Sequence, residues 1–137
     1  MTDNVATIAT AIERLNAGDI DGYMGLYRLD AAFSGYPSQF EPTFKGVIPF
    51  YRALLDGVPD LHVVPLDVLI DADRVAVRYR VTGSHKGELF GAPATGNAVD
   101  IEGLTIMRFD GDLVAHRWNR LDELTFFTQV GLLPSLG

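Results

Sequence analysis

The chain has 137 residues, enough to close one hydrophobic core and too few for two ordinary domains. Hydrophobic residues make up 47% and charged residues 21%, a balance that excludes both a disordered tail and a membrane-embedded chain. Eleven Lys and Arg against eighteen Asp and Glu leave a net charge of −7, a sign that repels phosphate backbones and anionic headgroups, so neither nucleic acid nor a membrane is expected as a partner.

Val5, Ile8, Ala9, Ile12 and Leu15 recur at spacings of three and four, which predicts an amphipathic helix ended by Gly18. Asp19 can cap a second, short helix carrying Ile20, Tyr23, Met24 and Tyr27 on one side, and a first strand is expected near Ala32 to Tyr36. Pro37 to Pro42 reads as a loop. After Gly46, the positions Ile48, Tyr51, Leu54 and Leu55 predict a third helix, with Phe50 beside them, stopped by Gly57 and Pro59.

Beyond Asp60 the texture changes to Val-rich runs between polar turns, giving four candidate strands over Leu61 to Ile70, Arg74 to Gly83, Val99 to Phe109 and Leu113 to Leu121. Asp71-Ala72-Asp73 and Asp110-Gly111-Asp112 read as hairpin turns, so the sheet is expected to be mostly antiparallel. Glu88 to Asn97 is too broken by Gly and Pro for a strand and reads as a long connection at a pocket rim. Side-chain alternation puts Val75, Val77, Tyr79 and Val81 on the core face, and Arg78 and Arg80 outside, where Asp100 and Glu102 can pair with them.

In this frame three segments carry a resemblance. Pro49-Phe50-Tyr51-Arg52-Ala53-Leu54 leads into Val58-Pro59-Asp60-Leu61. Thr82-Gly83-Ser84-His85-Lys86-Gly87-Glu88 is followed by Pro93-Ala94-Thr95-Gly96. Trp118-Asn119-Arg120-Leu121-Asp122 precedes Gln129-Val130-Gly131-Leu132-Leu133-Pro134. In this order they resemble the SnoaL-like polyketide cyclases of the nuclear transport factor 2-like superfamily. The resemblance spans nearly the whole chain and implies one domain over residues 1–137, an α+β cone in which three N-terminal helices pack on a curled, mostly antiparallel sheet. It also implies a cofactor-free aldol ring closure or related isomerisation of a polyketide in antibiotic biosynthesis, with Asp122 as the pocket acid and base. Because the cone hosts many activities, epoxide or ester hydrolysis and non-catalytic binding of an aromatic ligand stay open beside it.

Asp122 directly precedes Glu123-Leu124-Thr125-Phe126, so a helix N-cap competes with the catalytic role. His116, Trp118, Arg120 and Asp122 share one strand parity and Arg117, Asn119 and Leu121 the other, so Asn119 or Asp122 faces the cavity, not both, unless a bulge intervenes. His116 and Asn119 are candidates to assist catalysis. Trp118, His85, Tyr36, Phe50 and Tyr51 are candidates for substrate binding, against core packing for Trp118 and a solvent-exposed turn for His85.

Three scattered histidines without a ligand spacing predict no metal site, and the absence of a Gly-rich phosphate cradle predicts no nucleotide cofactor. With no cysteine the redox compartment cannot be read from thiols, and the N-terminus lacks a secretory pattern, so the cytoplasm is the expected compartment. Leu104 and Ile106 share the outer parity of Asp100 and Glu102, which predicts a homodimer through the outer sheet face, unless the segment from Phe127 to Leu133 covers those residues within one chain.

Overall fold

The computed structural model describes residues 3–134. The first helix, α1 (Asn4–Asn16), starts where the Asp3 carboxylate accepts the N–H groups of Val5 and Ala6 at 3.0 and 3.2 Å, and it buries Ile8, Ala11 and Leu15. Asp19 caps α2 (Ile20–Met24) by accepting the Gly22 N–H at 2.9 Å, and Thr43 caps α3 (Phe44–Gly57) by accepting that of Gly46 at 3.0 Å. The strands are β1 (Tyr27–Ser34), β2 (His62–Asp71), β3 (Arg74–Ser84), β4 (Ala98–Asp110) and β5 (Leu113–Leu121), followed by α4 (Glu123–Gln129).

β1 begins five residues before its expected start. Its pairing with β5 jumps from Tyr27 opposite Val114 to Ala32 opposite His116, so the bulged stretch Arg28-Leu29-Asp30, with Leu29 exposed, shows no alternation that a sequence could reveal.

The sheet order is β1-β5-β4-β3-β2, antiparallel throughout except for the parallel β1–β5 pair. The helices cover its inner face, where Val75, Val77, Tyr79 and Val81 are buried. On the outer face Arg78 pairs with Asp67 at 2.6 Å and with Glu102, and Arg80 pairs with Asp100 at 2.6 Å. All five side chains are about half exposed, so this ladder sets strand register more than it stabilises.

α4 is tied to β4 by one side chain. The Gln129 amide accepts the Asp100 N–H at 3.0 Å and donates to the Asp100 carbonyl at 3.1 Å, as a neighbouring strand would, and this holds buried Phe126 over the interior. Among the described residues no helix is long and apolar enough to cross a membrane.

Candidate active site

Between the curled sheet and the helices lies a cavity, open at one mouth, with about 80 Å³ of room for the centres of water-sized molecules. Its walls are apolar: Ile8, Ile12 and Leu15 from α1, Phe50 and Leu54 from α3, Val77 and Val81 from β3, Ile101 and Met107 from β4, and Phe126 from α4. The polar groups gather on one side, and β5 supplies their centre. There the strand alternation turns Arg117, Asn119 and Leu121 inward.

Arg117 is surrounded by hydroxyl and amide oxygens. Its Nε donates to Thr105 Oγ1 at 2.9 Å, and Nη1 donates to the Tyr23 and Tyr27 hydroxyls at 2.6 and 2.7 Å, with Tyr51 farther off at 3.4 Å. Nη2 donates to Asn119 Oδ1 at 3.2 Å, and the same oxygen accepts the Tyr79 hydroxyl at 2.7 Å. The Tyr79 ring lies over Gly103, where a Cβ would come within 2.4 Å of it, so this glycine makes room for the phenol that orients Asn119.

The phenols also join one another. Tyr27 meets Tyr23 at 2.5 Å, Tyr23 meets Tyr51 at 2.9 Å, and Tyr51 meets Tyr36 at 2.5 Å. Tyr36 opens onto a smaller recess shared with Phe50, Asn119, Leu121 and Phe126, whose rim carries Phe90, Phe127 and the exposed carboxylate of Glu123.

Burial pushes the Tyr23, Tyr36 and Tyr51 hydroxyls above the ordinary phenol range, against the opposing pull of Arg117, so all three are neutral donors at neutral pH. Burial works against the charge on Arg117, and the phenol oxygens around it outweigh that effect, so the guanidinium remains protonated. No carboxylate lines the main cavity, and among the described residues the ion pairs engage Arg28, Arg78 and Arg80, not Arg117.

The model of the SnoaL-like polyketide cyclase family matches residues 6–130. The chain belongs to that family. Among solved structures, a candidate SnoaL-like polyketide cyclase from Jannaschia sp. CCS1 is 25% identical, with 96% of this chain and 93% of that one covered and a TM-score of 0.82. IdmH from Streptomyces antibioticus, a candidate polyketide cyclase, is 25% identical over 95% of this chain and 99% of that one, with a TM-score of 0.80. AclR from Streptomyces galilaeus, a candidate hydroxylase, shares the fold at a TM-score of 0.87 and 24% identity, over 98% of this chain and 84% of that one. Comparison with curated proteins gave no match.

In this SnoaL-like chain the residues expected at the site divide. Phe50, Tyr51 and Asn119 line the main cavity, and Tyr36 lines the recess beside it. Asp122 lines neither. It is exposed and caps α4, its carboxylate accepting the Thr125 N–H at 3.2 Å, so of the two positions offered by strand parity the cavity takes Asn119. Local backbone demand decides this, because the helix that begins at Glu123 leaves N–H groups that Asp122 satisfies.

His116 and Trp118 stand on the outer face for the same reason of parity. Their rings stack at 3.7 Å and 9°, Arg74 lies over the indole at 5.4 Å, and His116 Nε2 bonds Ser34 Oγ at 3.0 Å. Burial and the cations of Arg108 and Arg74 hold the His116 imidazole below its ordinary value, which keeps it neutral near pH 7. Trp118 therefore lines neither the cavity nor the recess. His85 is neither at the cavity nor in an exposed turn: it is fully buried in the β3–β4 connection, its Nδ1 bonded to Thr95 Oγ1 at 2.9 Å. Arg117, Tyr23, Tyr27, Tyr79 and Thr105 were not singled out by the sequence, although Arg117 shares the parity of Asn119 and so had to follow it inward.

Proposed function

We propose that this protein is a cofactor-free cyclase-type enzyme that takes a hydrophobic, polyketide-like ligand into the cavity and promotes intramolecular ring closure or a related isomerisation. The observation that carries the reading is an apolar cavity whose polar side holds a guanidinium, phenols and an amide able to donate hydrogen bonds. In a ring closure of this kind negative charge grows on a carbonyl oxygen, and donors fixed in a low-dielectric wall stabilise that charge without having to reorient. The apolar walls fold the chain of the ligand so that its reacting carbons meet. Family membership and the cavity support the same assignment.

The groups that face the ligand in this reading are Asn119, Arg117 and the phenols, not Asp122 or His116. Asn119→Leu is expected to lower kcat about 100-fold, by the loss of one fixed donor, with a smaller change in KM. Assay of a panel of linear polyketide esters for cyclised product tests it. Binding throughout the panel without product from any member would reduce the protein to a binding module.

Asp122 separates the two possible roles of its carboxylate. Asp122→Asn, which keeps a good N-cap, is expected to retain both stability and turnover, whereas Asp122→Ala loses about 1 kcal/mol of stability with turnover per folded molecule unchanged. Loss of turnover in a stable Asp122→Asn protein would return that residue to the chemistry.

We also assign the outer sheet face to a second copy of the chain. Leu69, Ala76, Ile106 and Trp118 form one row across β2, β3, β4 and β5; Ile106 is 42% exposed and Leu104 beside the row 59%, so the segment from Phe127 to Leu133 leaves them open. A twofold contact would bury this row, with the charge ladder at its border. Sedimentation at low micromolar concentration is expected to give a dimer, and Ile106→Glu a monomer; a wild-type monomer at that concentration defeats the assignment.

A further inference from the structure

We propose that the cavity takes its ligand as an anion: a hydrophobic molecule presenting one ionised oxygen, a carboxylate or an enolate, to Arg117 and Asn119. The proposal deepens the cyclase-type reading and rests on it for the identity of the site.

The first argument is the charge. A guanidinium set in an apolar wall ordinarily has a carboxylate beside it, because the lost hydration is costly and a full opposite charge compensates it best. Arg117 has only dipoles: Thr105, Asn119 and the phenols. Glu123 in the adjoining recess is exposed and makes no ion pair with it. The phenols of Tyr23, Tyr36 and Tyr51 do not supply the missing charge, since burial keeps them protonated. A negative charge at this place has to arrive with the ligand.

The second argument is the count of protons. Four phenols, from Tyr27 to Tyr36, make three links, so one of their four O–H groups has no acceptor among the described residues. With the donors pointing outward along the chain, the spare O–H is that of Tyr36, which faces the recess. Nη2 of Arg117 carries two hydrogens and gives one to Asn119. Asn119 must present its oxygen to that donor and to the Tyr79 hydroxyl, which leaves its NH₂ without a partner among the described residues. What the network leaves over is therefore two kinds of donor at the cavity, an Arg117 Nη2 hydrogen and the Asn119 NH₂, and with that direction of the links a phenol O–H of Tyr36 at the recess beside it. A neutral carbonyl would use some of them, whereas an ionised oxygen uses them and also compensates the cation.

An ionised ligand also accounts for the missing carboxylate base. A 1,3-dicarbonyl compound that binds as its enolate has already lost the proton that a base would remove, so a cavity built for it needs donors and a cation.

Calorimetric titration of the whole protein decides the matter with three probes: 2-naphthoate, its neutral isostere 2-naphthamide, and 1-phenyl-1,3-butanedione followed from pH 7 to pH 10, about the range over which a weak carbon acid of this kind ionises. The expected result is a preference of at least about 10-fold for naphthoate over naphthamide, equivalent to about 1.4 kcal/mol. Diketone affinity that rises with its ionised fraction identifies an enolate as an acceptable source of the charge, and affinity that stays flat restricts the site to carboxylates.

Arg117→Lys should keep the preference and Arg117→Met should lose it, with near-ultraviolet circular dichroism checking the fold. If Arg117→Met does not fold, the wild-type preference and its survival in Arg117→Lys still decide. Naphthamide binding as tightly as naphthoate, or no binding of either anionic probe at millimolar concentration, overturns the proposal. Anion-selective binding without conversion of any polyketide ester would instead remove the cyclase reading and leave the anion site standing. Conversion of neutral esters without anion preference would do the reverse.

Discussion

Arg117→Met is expected to give a protein that is more stable by about 1–2 kcal/mol and at the same time about 100-fold weaker in turnover. The two effects have one source. In the folded protein the guanidinium has given up water for dipoles, with no carboxylate to compensate it, and Met fills similar space without that cost. Removal of Arg117 also strands none of its acceptors. The Tyr23 and Tyr27 hydroxyls keep each other at 2.5 Å, Tyr51 keeps Tyr36 at 2.5 Å, Asn119 keeps Tyr79 at 2.7 Å, and Thr105 keeps its bond to the Trp118 carbonyl at 2.9 Å. The usual penalty for breaking a buried polar network, an orphaned partner, is therefore largely absent. Urea denaturation measures the first effect and the ester panel the second. A variant that is clearly less stable than wild type would mean that the phenol dipoles compensate the cation well, and with that the need for a ligand charge would weaken.

The order and type of the elements were legible from the sequence because the signals there are strong. Period-3.6 patterns mark α1 and α3, alternating Val-rich runs mark β2 to β5, and hairpin turns fall at Asp71-Ala72-Asp73 and Asp110-Gly111-Asp112. β1 was legible only in its second half, since its bulge at Arg28 to Asp30 follows pairing with a strand more than eighty residues away.

The site divides along the same line. Phe50 and Tyr51 lie on a helix face that had to point inward, and Asn119 was one of two outcomes of a parity rule that the cap at Asp122 resolves. The Arg117 cluster was hidden because its members come from α2, β1, α3 and β5, and no local pattern announces that three tyrosines from three elements share one guanidinium. Arginine on a strand reads by default as an outward residue. That is what Arg78 and Arg80 are, and what Arg117 is not.

Gly35→Ala is expected to lower stability by about 3–5 kcal/mol, a large part of what a domain of this size has. Gly35 follows β1 with φ +88°, and a Cβ there would lie 1.8 Å from the Asn119 carbonyl oxygen and 2.0 Å from Arg120 Nη1. The Arg120 side chain can swing away. The carbonyl cannot, because Ser34 opposite Trp118 holds β1 and β5 in register at that point. Relief therefore requires the two strands to part or Asn119 to move, and either displaces the donor that lines the cavity. Gly111→Ala supplies the comparison: its φ is +64° and a Cβ at that position would meet nothing within 4 Å, so that variant should lose only the backbone strain, about 1 kcal/mol. The difference between the two urea midpoints isolates the contact with β5, and equal losses in both variants would show that Gly35 is required for its backbone angle alone. In the first variant, titration with 2-naphthoate well below the unfolding midpoint should also show weakened binding, since the strand that must shift carries both Arg117 and Asn119.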